Sequence, residues 1–433
     1  MELDIGNALA TVADPGVPRE RLEQYNTEIA QAHDRIVRGI EAQEHGYAAL
    51  GLPEETDVDE IVDRMEALPA AEDILLIGIG GSALGAKTIV DACGTSARVH
   101  VLDNIDAVTV QAIFAQVKPE ETVVNIVSKS GKTTETIANA VTVIGAFQEA
   151  GVDWRDRILV TTGSTGPLAR FAENHNLPRL HVPENVPGRF AAISPIGLAV
   201  PALAGVDIEN ILKGGRDAVD ALDPDLFQSP AYAFGLISYL LAEDGVAVNA
   251  MMPYAERLET FAEWFAQLWA ESLGKDGKGQ LPARALGVTD QHSQLQLYRA
   301  GPPNTQVTFV TVADGPDWTV PAPAIELGTD LSGTSFREIL AAEHQGTEAS
   351  LAAAGRPNVR FTLERIDERE IGNLLVTMEA ACIMAGELFD INTFEQPAVE
   401  WGKRATRALL SGEDTAETAA IAEKETCIIP QTD

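Results

Sequence analysis

The chain has 433 residues, 45% of them hydrophobic, so two packed cores with terminal extensions are the natural expectation. Its 65 acidic residues against 31 basic ones leave a formal net charge of -34, which excludes nucleic-acid phosphates and anionic membrane surfaces as partners. No run approaches the roughly 20 apolar residues of a membrane span, and the first residues, MELDIGNALATVADPG, carry acids rather than a basic region followed by an apolar stretch, so a cytoplasmic location is expected.

Self-repulsion of this size destabilises a compact state unless salt screens it, as it does over only ~3 Å at 1 M. The acids are spread along the chain, as in EETDVDEIVD and ERIDEREIGN, which points to a hydrated acidic surface and a salt-adapted cytoplasm. Cys93, Cys382 and Cys427 are far apart and show neither CxxC nor metal-ligand spacing. The seven histidines form no HxH or HExxH pattern, so no metal site is expected.

Taken in chain order, residues 1–70 read as a helical segment, with the first strand expected only after them. From Asp73, the run ILLIGIGGSALGAKTIVDAC passes from a short apolar strand through glycines into a helix, and ARVHVLDN is a second strand. The stretch ETVVNIVSKSGKTTETIANAV repeats strand, turn and helix, and DRILVTTG and LPRLHVPENV read as further strands. Apolar strands alternating with helices imply a parallel sheet covered on both faces. The pattern restarts near Ala231 with a helix, the strand VAVNAMMP, the long amphipathic helix within RLETFAEWFAQLWAESLGKDG, the strand TQVTFVTVAD and a long helix over 367–388. The expected fold is therefore α/β, with two doubly wound parallel-sheet domains, 71–228 and 229–390, and a C-terminal segment, 391–433.

The glycines of GIGGSALG follow a strand and open a helix, where free N–H groups and the helix dipole favour an anion. Gly78, Gly80 and Ala83 also fit a dinucleotide fingerprint, with Asp103 ending the next strand. A nucleotide P-loop around Gly131, Lys132 and Thr133 fails because Ile126 stands where that motif requires glycine. The second loop, SKSGKTTET, decides for a compact monophosphate. In an open parallel sheet, loops at the carboxyl ends of adjacent strands share one crevice, so Ser82 can join Ser128, Ser130, Thr133 and Thr134 around one phosphate. Simple N-capping by these hydroxyls is the competing reading.

Five segments together resemble the sugar isomerase (SIS) domain family and, more closely, the phosphoglucose isomerase family. They are the strand-GGS turn, SKSGKTTE, PGRFAAISPIGL, QLWAESLGKDGKG followed by GVTDQHSQLQ, and GELFDINTFEQPAVEWGK; in order they cover about 74–403. Lys132, Ala191 and Glu395 depart from the family's usual residues and bear on substrate preference rather than on chemistry.

The resemblance implies SIS domains and reversible aldose–ketose isomerisation of glucose 6-phosphate and fructose 6-phosphate, in glycolysis and gluconeogenesis, without metal or redox cofactor. It implies that Gly81, Ser82, Ser128, Lys129, Ser130 and Thr133 hold the sugar phosphate, and that Gly188 belongs to the same binding surface. Isomerisation moves a proton between C2 and C1 through a cis-enediol and needs a base. Glu271 is the candidate, near a helix C-terminus where the dipole disfavours a carboxylate, with Gln267 one turn earlier on the same face.

Arg189 is expected to stabilise the enediolate, and Gln396 to hydrogen-bond sugar hydroxyls. His292 is expected to open the ring, aided by Lys403 at the ring oxygen. Asp290 is read as an N-cap that places the imidazole at a helix start, where the dipole favours its neutral form. The resemblance further implies a homodimer with His292 donated across the interface. The alternatives are a dual phosphoglucose/phosphomannose isomerase, a non-catalytic sugar-phosphate sensor and, more distantly, a dehydrogenase.

Overall fold

The computed structural model describes residues 1–322, 331–427 and 429; residues 323–330, inside the expected second domain, lie outside the described set. Among the described residues ten strands form two five-stranded sheets. The first contains β2 (Asp73–Ile77), β3 (Arg98–Leu102), β4 (Thr122–Ser128), β5 (Ile158–Thr162) and β6 (Arg179–His181), in the order β3-β2-β4-β5-β6 and wholly parallel. Every residue of β2, β4 and β5 is buried. Leu75, Ile77, Val124, Ile126 and Val160 share one cluster with Val143, Phe147, Trp154 and Leu168. Side chains alternate across a strand, so the burial of Ile74, Leu76 and Val123 shows that the other face is covered as well.

The second sheet contains β7 (Val248–Pro253), β8 (Leu281–Arg284), β9 (Thr305–Val312), β10 (Asn358–Leu363) and β1 (Glu2–Asp4). Over its first four strands the order, β8-β7-β9-β10-β1, repeats that of the first sheet, a likeness the sequences of the two halves do not reveal; the fifth place goes to the N-terminal strand β1. It also corrects the expectation of a purely helical N-terminal segment and a purely parallel second sheet. Leu3 pairs with Phe361 and Asp4 with Arg360 in an antiparallel register, and the Asp4 carboxylate lies 3.0 Å from the Arg360 guanidinium. A three-residue edge strand shows no readable alternation; its partner specifies it, not its own composition.

In each sheet the chain turns back across its second-placed strand. The topological switch point therefore lies between β2 and β4 in one sheet and between β7 and β9 in the other, where open α/β sheets form their ligand crevices. Among the described residues one helix, Glu368–Phe389, is long and apolar enough to cross a membrane, and 83% of that stretch is buried in the fold. Residues Met1–Thr393 form one compact unit and Phe394–Asp433 a second.

Candidate active site

The GGS turn begins where β2 ends. Gly80 takes a φ of +58°, and a Cβ there would lie 2.9 Å from the Gln267 amide nitrogen. At Gly81 a Cβ would lie 2.4 Å from the carbonyl carbon of Gly188 and 2.7 Å from the amide nitrogen of Arg189. Glycine is thus required twice, once for a left-handed turn against Gln267 and once for backbone-to-backbone contact with the Gly188–Phe190 turn. Two segments about 107 residues apart in sequence, which the sequence offered as separate motifs, share one site.

The helix Glu259–Leu273 carries Gln267 and Glu271 four residues apart, so they project from one face. The Gln267 amide donates to Glu271 Oε1 at 3.3 Å, while its own carbonyl oxygen is buried without a partner among the described residues. Glu271 Oε2 lies 3.5 Å from Arg189 Nη1. The Arg189 side chain is 1% exposed. Its Nε donates to the Ser272 hydroxyl at 2.8 Å and its Nη2 to the Thr393 carbonyl at 2.7 Å. Burial pulls the guanidinium below its ordinary range, and the Glu271 carboxylate opposes that pull. A buried cation held on several sides beside a partly exposed carboxylate can neutralise charge that forms next to the carboxylate. Ser272 and Thr393 were not legible as site residues, although Ser272 adjoins Glu271 near the end of an amphipathic helix.

After β4 the chain forms the second loop and enters the helix Thr134–Glu149. Thr133 occupies the N-cap position, but its side chain makes no capping bond; its Oγ1 lies 3.0 Å from the Ser128 hydroxyl. Ser128, 2% exposed, also accepts from the Gly131 amide at 3.1 Å, so it shapes the loop from within. Ser130 is exposed, and its hydroxyl accepts from the Lys132 amide at 3.2 Å. The Lys129 ammonium donates to the carbonyls of Glu184 at 2.9 Å and Val186 at 2.6 Å, and desolvation lowers its pKa. It ties the second loop to the segment that leads into Gly188 and Arg189. Ser82 ends the GGS turn, partly exposed.

The counterpart of this loop after β9 is built to opposite effect. A capping box, Ser335 with Glu338, takes amides at the start of the helix Phe336–Ala353, and Asp317 accepts from the Arg337 amide at 3.1 Å. Arg337 is committed to Asp314, and Arg360 to Glu348 and Asp4. A cavity of about 790 Å³ lies there, and amides at this helix start already have Ser335 and Asp317 as acceptors.

His292 sits on the short helix Thr289–Ser293, exposed, and no hydrogen bond or ion pair joins it to Glu271 or Arg189 among the described residues of this chain. The reading of Asp290 as the N-cap is corrected: Val288 holds that position. Asp290 Oδ2 instead reaches back to accept from the Leu286 amide at 2.8 Å, and Oδ1 accepts from the Ser293 hydroxyl at 2.7 Å. In the C-terminal unit, Gln396 precedes the helix Pro397–Ser411 as its N-cap, and Lys403, exposed on that helix, pairs with Glu400 at 2.7 Å.

The profile of the family described as phosphoglucose isomerase matches residues 64–301. A probable glucose-6-phosphate isomerase from Haloarcula marismortui is 53% identical over the full length of both chains. A glucose-6-phosphate isomerase from Rubrobacter xylanophilus is 40% identical over 81% of this chain and 84% of its own. Among solved structures, a hypothetical protein from Thermus thermophilus aligns with a TM-score of 0.86 at 34% identity, covering 95% of this chain and all of the other. A glucose-6-phosphate isomerase from Chlamydia trachomatis shares the fold with a TM-score of 0.82 at 21% identity, over 94% of this chain and 89% of its own. Sequence, fold and the joined motifs of the GGS turn, Arg189 and Glu271 agree, and the chain belongs to the phosphoglucose isomerase family.

Proposed function

We propose that the chain is a glucose-6-phosphate isomerase that interconverts D-glucose 6-phosphate and D-fructose 6-phosphate by ring opening and proton transfer through a cis-enediol, in glycolysis and gluconeogenesis in a salt-rich cytoplasm. The observation that carries this reading is the cluster in which Glu271 lies 3.5 Å from the buried guanidinium of Arg189 and 3.3 Å from the Gln267 amide, beside the GGS turn. Glu271 removes the proton from one carbon and returns it to the other. Arg189 opposes the negative charge that forms on the enediolate oxygen, and costs no reorganisation because it is already held. Gln267, whose amide touches Glu271 from one turn earlier, belongs to the substrate-binding surface.

The phosphate sits at the uncapped start of the helix Thr134–Glu149, against Ser130 and Thr133, with Gly81, Ser82 and Gly188 beneath the substrate and Ser128 and Lys129 shaping the floor. His292 opens the sugar ring from the partner protomer of a homodimer, which accounts for its exposure in a single chain. Lys403 assists at the ring oxygen and Gln396 binds sugar hydroxyls. The two sheets correspond to SIS domains at 71–228 and 229–390, the second extended by β1 from the N-terminal segment, with 391–433 as the C-terminal segment. Purified protein in high salt, given fructose 6-phosphate and a coupled assay for glucose 6-phosphate, should produce it with and without chelator. No glucose 6-phosphate under either condition would overturn the assignment.

A further inference from the structure

His292 projects from a helix of only five residues, too short to hold its own orientation in water. Its neighbour Gln291 supplies the anchor. Gln291 Oε1 accepts from the Tyr254 hydroxyl at 2.7 Å and from the Thr347 hydroxyl at 3.0 Å, and Nε2 donates to Glu343 at 2.7 Å. Both acceptor positions of the amide oxygen and one of its two N–H groups are thereby occupied. The partners are themselves fixed. Tyr254 directly follows β7, its amide bonded to Val310 of β9 at 2.8 Å, and a Cβ on Gly287 would lie 2.4 Å from its ring. Glu343 and Thr347 stand one turn apart on the helix Phe336–Ala353, flanking the buried His344, whose ring meets Tyr254 edge to face at 4.9 Å.

We propose that Gln291 is a positioning residue for His292, and that the switch-point crevice of the second sheet serves to clamp it. The inference rests on the assignment of His292 to ring opening. Gln291 has little free capacity to bind substrate, so it acts through its neighbour.

The test is a swap. In Gln291→Glu, two carboxylates face each other across 291 and 343 and the bond between them is lost. In Gln291→Glu/Glu343→Gln, the same bond returns with its direction reversed, and Tyr254 and Thr347 keep their acceptor. Displacing a catalytic group by about 1 Å can cost ~100-fold. Gln291→Glu should therefore lose at least ~10-fold in kcat on glucose 6-phosphate with little change in KM, while an open four-carbon aldose phosphate, erythrose 4-phosphate, is affected less than ~3-fold. The double variant should recover to within ~3-fold of wild type. Added to His292→Ala, Gln291→Glu should have no further effect.

Failure of the swap to restore activity, or losses that multiply in the His292→Ala background, would overturn the proposal. If His292→Ala itself slows cyclic and open substrates equally, the ring-opening assignment falls, and the non-additivity of the two substitutions still decides the role of Gln291. Thermal melts accompany each variant; should Gln291→Glu not fold, Thr347→Val, which removes one hydrogen bond, must show the same preference for the cyclic substrate's loss or the proposal fails.

Discussion

At the scale of the residue, the side chains proposed to do chemistry were legible in the sequence and those that hold them were not. Glu271, Arg189 and Gln267 lie in segments with unusual polar residues among apolar ones, and the structure brings these three together. Ser272, Thr393 and Gln291 act by contact with residues distant in sequence, and such contacts leave no local periodicity. Nor is the burial of Glu379 legible in the sequence. It is fully buried in the helix Glu368–Phe389, neither carboxyl oxygen has a partner among the described residues, and burial raises its pKa well above the ordinary carboxylate value.

The folded protein therefore keeps the Glu379 proton at pH values where the unfolded chain releases it. Folding stability then falls as pH rises above the unfolded value of about 4.5, until the folded carboxyl also ionises. Glu379→Met should raise stability at pH 7 by about 1–3 kcal/mol, the cost of an unsatisfied buried polar group. Urea unfolding in high salt should show that gain shrinking as pH approaches 4.5. A loss of stability at pH 7 would mean that the carboxyl has a partner such as a buried water.

At the scale of the element, the two equivalent loops show how capping decides what a helix start can bind. The helix Phe336–Ala353 satisfies its first amides with its own Ser335 and with Asp317, whereas the helix Thr134–Glu149 has an N-cap threonine turned toward Ser128 instead. Ser130→Ala and Thr133→Ala should weaken sugar-phosphate binding by roughly 1.5–3 kcal/mol each while changing turnover less. Competition by inorganic phosphate reads this directly, and equal inhibition of mutant and wild type would move the phosphate elsewhere. The strand–turn–helix grammar of this half could be read because its strands are apolar runs of five to seven residues such as β2, β4 and β5. The edge strand β1 escaped because three residues, two of them exposed, carry no pattern and pair with a strand more than 350 residues away.

At the scale of the whole molecule, the shared strand order gives two switch-point crevices; the proposed phosphate loop lies at one, and Gln291, the neighbour of His292, is hydrogen-bonded at the other. If His292 serves the partner's site, two inactive variants should complement each other. Mixing Glu271→Gln and His292→Ala protomers under conditions that exchange subunits should restore roughly a quarter of wild-type activity, since half of the dimers then carry one intact site of two. No recovery on verified exchange would place His292 in its own chain's site or outside catalysis.

The central claim is that Glu271, set between Gln267 and Arg189, moves the proton, and solvent exchange during turnover tests it most directly. In heavy water, the wild-type enzyme should introduce deuterium at the reacting carbons of the hexose phosphates, read by nuclear magnetic resonance. Glu271→Gln should bind substrate with near-normal affinity and exchange at least ~100-fold more slowly, the lower range for loss of a general base. Deuterium incorporation by Glu271→Gln at near wild-type rate would contradict the account.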